Sequence, residues 1–331
     1  MSLTINTNLS SLIVQSNLNK STNALNLAME RMTTGYKINH ASDNAAGYSI
    51  AKSWEAKLGS LDVAADNAAT GADMLSTLED HYALVSTHIQ RIRDLTEQAA
   101  NGTYGTQSKE AIQSEIEARL QEVNRIAANC EFGGQNLMDG SLENKSIAIQ
   151  VGLDSTAAKS QIELAGNLFA KGDIRALFTF KAGDDMNLAA GWNPGLTTAE
   201  KTAMVEADKT EEEIDAADAD KAFKNIATYC AGLGEGENSK SAAQMLEVID
   251  NVINRISKRV TTLGAAQNRV ESAIESIAVQ SENITSSLST LRDADVAQES
   301  SNFLKAQILQ QASATLLATA NQSPSIALNL L

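Results

Sequence analysis

The sequence predicts a mainly α protein: a long coiled-coil-like helical bundle that pairs N- and C-terminal segments, with a small β-hairpin region and a variable α/β insertion. Three observations carry this. Apolar residues recur at alternating steps of three and four along two stretches in opposite halves of the chain. Between those stretches the period falls to two. The 331 residues are 43% hydrophobic but only 4% aromatic, with two prolines, a composition that favours long helices over a compact mixed core.

The C-terminal stretch is the clearer one. From Ala242 the pattern runs through Leu246, Ile249, Ile253, Ile256, Val260, Leu263, Gln267, Val270, Ile274, Ile277, Ser281, Ile284, Leu288 and Leu291, with only Gln267 and Ser281 polar. At about 1.5 Å per residue this makes a rod of roughly 75 Å. A rod of that length needs an equally long partner to cover its seam. Trp54, Leu58, Leu61, Ala65, Ala68, Ala72, Leu75, Leu78, Tyr82, Val85, Ile89 and Ile92 supply one, with an extra step of three at Leu78. "ANGTYG" (Ala100 to Gly105) breaks that helix. A shorter one follows through Ile112, Ile116, Leu120 and Val123 and ends near Cys130 and "FGGQ".

"SIAIQVG" (Ser146 to Gly152) and "SQIELAG" (Ser160 to Gly166) alternate as short strands of a hairpin. Residues 173–240 read as an outer insertion, with 14 acidic against 7 basic side chains. Thr197 with Glu200, and Thr210 with Glu213, have capping-box spacing, so part of it is helical.

The two ends form a third region. No charged side chain precedes Lys20 and none follows Lys305, in a chain whose formal charge is −15. Val14, Leu18, Ser21, Leu25, Ala28 and Met32 make one helical stripe, with Ile5, Leu9, Leu12 and Ile13 beside it. Phe303, Leu304, Ile308, Leu309, Ala312, Leu316 and Leu317 do the same at the other end. The remaining faces carry Asn, Gln, Ser and Thr. Neutral polar faces suit burial, where an unpaired charge costs several kcal/mol. A hairpin of two helices covers one face of each; packing among many copies covers both.

Other chemistry is excluded or undeveloped. The acidic balance repels phosphate backbones and anionic lipid, so neither nucleic acid nor a membrane surface is expected as partner. Cys130 and Cys230 make no disulfide framework and no zinc site. His81 and His88 share a helix face but lie about 10 Å apart along the axis, too far for one metal without a third ligand. No catalytic or cofactor motif stands out, so no enzyme activity and no cofactor are expected. "EEEIDAADAD" (Glu211 to Asp220) lacks the order of a calcium loop. Asn101 in "NGT" has the spacing of a glycosylation acceptor. A basic n-region and a cleavage site are absent from the start, so a cleaved secretory signal is not expected.

Three segments carry a resemblance. "TTGYKINHASDNAAGYSIA" (Thr33 to Ala51), "IQRIRDLTEQAANGT" (Ile89 to Thr103) and "LRDADVAQESSNFLKAQILQQASATLLATANQ" (Leu291 to Gln322) resemble signatures of bacterial flagellin, in the right order along the chain. Lys37 and Asn44 depart from the usual Arg and Asp. The resemblance implies a subunit that is exported unfolded and self-assembles into the helical, extracellular flagellar filament. It further implies that residues 1–43 with 292–331 form the inner filament core, 44–172 with 241–291 a rod-like shell, and 173–240 the outer part. The implied core residues are Ile5, Leu9, Leu12, Val14, Leu18, Leu25, Met32, Phe303, Leu304, Ile308, Leu309, Leu316 and Leu317. Implied partners are further copies of the chain, an export chaperone on the C-terminal arm, filament cap and hook-junction proteins, and the innate immune receptor TLR5. The receptor would contact Arg91, Leu95 and Glu115. In the free monomer both ends would be disordered, because isolated arms cannot offset their ordering entropy. A flagellin-like hook–filament junction protein is the alternative the same signatures allow.

Overall fold

The computed structural model describes residues 8–142, 145–154, 156, 160–178, 211–234 and 241–328, with the side chains of all of these except 167, 211–219 and 323–328. In chain order the elements are α1 (Leu9–Thr34), α2 (Ala45–Ala100), α3 (Thr106–Ala128), β1 (Glu131–Phe132), β2 (Gln135–Asn136), β3 (Ile147–Gln150), β4 (Gln161–Leu164), a 3-10 turn (Gly166–Phe169), α4 (Ile174–Phe178), α5 (Glu211–Cys230), α6 (Ala242–Arg292) and α7 (Val296–Leu328). The fold is mainly α with a small β region, as the sequence predicts. It divides into two compact units, Met1–Asp62 with Ala278–Leu331, and Val63–Ile277. Ile5 and both capping-box threonines, Thr197 and Thr210, lie outside the described residues.

The second unit holds the main core. Along α2 a strict alternation of three and four runs through buried Leu61, Ala64, Ala68, Gly71, Leu75, Leu78, Tyr82, Val85, Ile89, Ile92, Thr96 and Ala99, with Met74 and Leu95 buried beside it. The extra step expected at Leu78 is therefore absent. The apolar reading placed Ala65 and Ala72 on the seam, but the buried positions there are Ala64 and Gly71. Gly71 has no side chain to register as apolar, yet it is needed. A Cβ at that position would sit 2.3 Å from the Ile149 Cδ1 atom, so the Ile149 side chain of β3 occupies the space that glycine leaves and would have to shift for any larger residue.

On α6 the positions seven apart, Ala242, Ile249, Ile256, Leu263, Val270 and Ile277, are all buried. The second seam position differs from expectation. Met245, Val252 and Ala266, three residues after Ala242, Ile249 and Leu263, go deeper than Leu246, Ile253 and Gln267, four residues after. The helix packs among several neighbours, so its apolar stripe is broader than a two-helix seam. Half-buried Gln267 is accounted for: its Nε2 donates to Glu79 Oε2 at 2.7 Å.

β3 and β4 pair antiparallel, Ile147 opposite Leu164 and Ile149 opposite Ile162, and this hairpin turns Ile149, Ile162 and Leu164 into the core. β1 and β2 pair across the two-residue turn Gly133–Gly134. Both ends of the expected insertion are core: Ile174, Leu177 and Phe178 in α4, and Ala222, Ile226, Ala227 and Cys230 in α5, are buried. Arg255 Nη1 donates to the carbonyls of Ala176 and Leu177 at 3.0 and 3.2 Å, capping the carbonyl end of α4. Arg259 Nη1 donates to Lys171 O at 2.9 Å.

Candidate functional site

In the first unit, α1 and α7 run antiparallel. Asn8 caps α1, its Oδ1 accepting from the Ser11 amide at 3.1 Å while its Nδ2 donates to Ala320 O at 2.7 Å. Ser11 Oγ donates to Asn321 Oδ1 at 2.7 Å, and Gln310 Nε2 donates to Thr22 Oγ1 at 3.2 Å. The Arg31–Glu299 ion pair, at 3.2 Å, lies near the charged end of the pair. Neutral amides and hydroxyls hold the charge-free length, as the polar faces require.

The packing is one-sided. Ser11, Val14, Leu18, Ser21, Leu25 and Ala28 of α1 are buried or half-buried, as are Phe303, Ala306, Gln310, Ser313 and Leu317 of α7. Ala28 and Ala306 are the only apolar side chains of the two helices counted as buried among the described residues. The other faces carry Leu9 at 68% exposure, Leu12, Ile13, Leu27, Met29 and Met32 on α1, and Leu304, Ile308 at 57%, Leu309 and Leu316 on α7. Of the expected core residues, Val14, Leu18, Leu25, Phe303 and Leu317 thus line the helix–helix seam. Leu9, Leu12, Met32, Leu304, Ile308, Leu309 and Leu316 are exposed among the described residues.

The links between helices are tied to each other. Gly35 ends α1 with φ of +76°, a left-handed residue for which glycine carries no steric penalty. Its carbonyl accepts from the Ala294 amide at 2.8 Å, and the Lys37 amide donates to Arg292 O at 2.7 Å. Lys37 Nζ also donates to Thr290 O at 2.8 Å. Arg292 pairs with Glu55, whose carboxyl is held below the usual carboxylate range by the Lys52 ammonium and Arg292. Asp43 Oδ2 accepts from the amides of Asn39 and His40, both at 3.0 Å, which lowers its pKa. Asn44 caps α2 by accepting from the Gly47 amide at 2.9 Å.

The three expected receptor contacts separate. Arg91 on α2 reaches Glu115 on α3, Nε and Nη2 donating to Oε1 at 3.2 and 3.1 Å, and both side chains are exposed. Leu95, at 2% exposure, points into the core instead. That contact expectation is corrected: one turn beyond Arg91 the helix has rotated Leu95 under the α2 surface, where it can support the patch but not touch a ligand. Thr96 is buried too, its hydroxyl donating to Ile92 O at 2.8 Å. Among the described residues, no three His, Cys, Asp or Glu side chains gather as a metal would require.

Comparison with known proteins decides the family. Residues 5–143 match the bacterial flagellin N-terminal helical region, and residues 246–331 match the C-terminal helical region. The chain belongs to the bacterial flagellins. Flagellin A of Vibrio anguillarum is 33% identical, with all of both chains covered. Flagellin B of a Vibrio cholerae O1 strain is 32% identical over the same full extent. The crystal structure of Bacillus cereus flagellin aligns with 67% of this chain and 94% of its own, at 18% identity and a TM-score of 0.38. As a flagellin the chain is a structural subunit of the extracellular flagellar filament, not an enzyme. The junction-protein alternative is not favoured, because relatives matched over their full length are flagellins. No described helix is long and apolar enough to cross a membrane.

Sequence reasoning missed Asn8, Thr22, Gln310, Arg31, Glu299 and Arg292 as parts of this region. Only Asn8 carried a signal, as a capping residue directly before the apolar run.

Proposed function

We propose that this flagellin self-assembles through the outer faces of α1 and α7, which pack against those of neighbouring copies in the inner tube of the filament. The observation that carries this is the outward set of Leu9, Leu12, Ile13, Leu304, Ile308, Leu309 and Leu316 on helices whose polar faces hold no charge beyond Lys20 and Lys305. Because the hairpin alone buries so little, the arms order on assembly, and that coupled folding drives growth without a nucleotide. Before assembly, the unordered arms suit export of the unfolded chain, and an export chaperone covers the C-terminal arm around Phe303 to Leu317. Cap and hook-junction proteins receive the ordered subunits at the two ends of the polymer. Residues 1–43 with 292–331 serve as core, and 44–172 with 241–291 as shell. The outer part falls within 173–240, between the anchored ends Ile174–Phe178 and Ala222–Cys230. Seeding purified protein with ammonium sulfate and imaging it by electron microscopy tests the reading. Long helical filaments are expected from the full chain and none after deletion of residues 306–331.

The exposed Arg91–Glu115 pair supports a second role, as a surface for TLR5. Arg91 offers a planar donor fork with spare N–H groups, and Glu115 fixes its direction. Monomer binding should fall at least tenfold, a loss of about 1.4 kcal/mol, in Arg91→Ala with an unchanged melting curve. Equal binding by parent and variant rejects this surface.

A further inference from the structure

The turn between α2 and α3 places an exposed asparagine directly before an exposed glycine, Asn101–Gly102. Three features bear on its reactivity. The Asn101 Oδ1 atom accepts from both the Thr103 amide and the Thr103 hydroxyl, each at 3.1 Å, which polarises the side-chain carbonyl and makes Cγ more electrophilic. The Gly102 amide donates to no partner among the described residues, although the neighbouring Asn101 and Tyr104 amides do, to Gln98 O and Asn101 O. Gly102 carries no side chain to shield its nitrogen, and the space where a Cβ would stand is open for 4 Å. An electrophile and an unengaged nucleophile therefore lie on consecutive residues, with no other part of the described protein standing over the glycine.

We propose that Asn101 is a site of spontaneous deamidation in the folded protein. The Gly102 nitrogen loses its proton to hydroxide or a buffer base and bonds to Asn101 Cγ. The Cγ–Nδ2 bond then breaks, and Nδ2 leaves as ammonia after taking up a proton from water. The resulting five-membered imide adds one water and opens to aspartate or isoaspartate. No oxidant, reductant or enzyme is needed. Either product sets a new carboxylate at the C-terminal end of α2, where the helix dipole disfavours negative charge. The isoaspartyl product also lengthens the main chain of the turn by one methylene. The conversion ages the subunit at a connection between two helices whose Ala99 and Ile112 are core residues.

The folded full-length protein, held at pH 8 and 37 °C for increasing times, supplies the test. Trypsin releases the 94–109 peptide, in which Asn101 is the sole asparagine. Its acidic and isoaspartyl forms are followed by mass spectrometry and by protein isoaspartyl methyltransferase labelling. The expected result is steady conversion in the parent and loss of the isoaspartyl signal in Gly102→Ala, which the open space admits without refolding the turn. In parallel, hydroxylamine should cleave the folded parent between residues 101 and 102 and spare the variant. Intact Asn101 in the aged folded protein, alongside ready conversion in a urea-unfolded sample, would overturn the proposal. A glycan mass on the same peptide from cell-derived protein would overturn it as well, since a capped amide cannot follow this course.

Discussion

The Arg292 guanidinium lies 4.0 Å from the centroid of the Tyr36 ring, so the residue that ends α6 is stacked on one that follows α1. The same residue pairs with Glu55 and has its side chain 16% exposed. Cation–π contacts contribute about 0.5–1 kcal/mol at exposed sites and about 2 kcal/mol when desolvated, and half-exposed Tyr36 with largely covered Arg292 falls between these. Replacing Tyr36 with Ala should therefore cost about 1 kcal/mol locally. Hydrogen exchange at the Ala294 and Lys37 amides, which bond across the same link, should quicken in step. Unchanged exchange at both amides would show that the stacking contributes nothing.

A charge in the α6 seam should be far more damaging. Val270 is buried at a position the heptad reading and the structure share. Val270→Asp leaves an unpaired carboxylate there and should cost about 3–5 kcal/mol. Ser281→Asp, at a half-buried position, should cost much less. Thermal unfolding of both variants checks the order, and equal melting temperatures would contradict the packing.

Cys130 and Cys230 are free thiols, and burial pushes their pKa values up to about 11 and about 12 from a model-compound value of 9.0. Thiolates are the reactive form, so neither should react with iodoacetamide in the folded protein at pH 8, and both should react after unfolding. Linkage fixes the sign. Both states hold the proton below pH 9.0, so the contribution is whole there. Between pH 9.0 and about 11 to 12 the unfolded chain loses protons that the folded chain keeps, so stability falls as pH rises. The decline measured by urea unfolding should be shallower in the Cys130→Ala, Cys230→Ala double variant.

The anchored ends of the insertion predict an asymmetric tolerance to deletion. Joining Phe178 to Asp220 through a short Gly/Ser linker keeps Ile174, Leu177, Phe178, Ile226 and Cys230, and should leave a cooperatively folded second unit. Removing 173–240 outright strips those buried side chains from the core and should abolish cooperative unfolding. Circular dichroism melts of the two deletions distinguish the outcomes, and similar melts would refute the anchoring.

The helical architecture was legible in the sequence because period 3.5 and period 2 come from the chain's own geometry. Ile149 and Ile162 alternated as strand residues do, and they pair in the hairpin. What escaped depends on neighbours. Gly71 reads as a gap in an apolar stripe until Ile149 is seen filling its place. Met245 and Val252 outrank Leu246 and Ile253 because more than one helix covers α6, which a one-dimensional pattern cannot show. The acidic composition of residues 173–240 masked core side chains at both ends. At the candidate site, the charge-free ends were visible, and so was the stripe of Val14, Leu18 and Leu25. Which leucines face out is set by the α1–α7 pairing. Arg91 and Glu115 were readable as surface, but Leu95 fell on the buried side of the turn.

The central claim, that the outward leucines and isoleucines of the terminal hairpin are the assembly surface, is tested most directly by charging that surface alone. Leu12→Asp with Ile308→Asp changes two outward residues and none that line the α1–α7 seam. Seeded polymerisation, followed by light scattering and electron microscopy, should give no filaments from this variant. Its second unit should melt as in the parent, showing that the loss is one of assembly. Val63→Asp with Leu84→Asp, on exposed positions of α2, serves as the control for added charge. Filaments of parental length from the Leu12→Asp, Ile308→Asp protein would contradict the account.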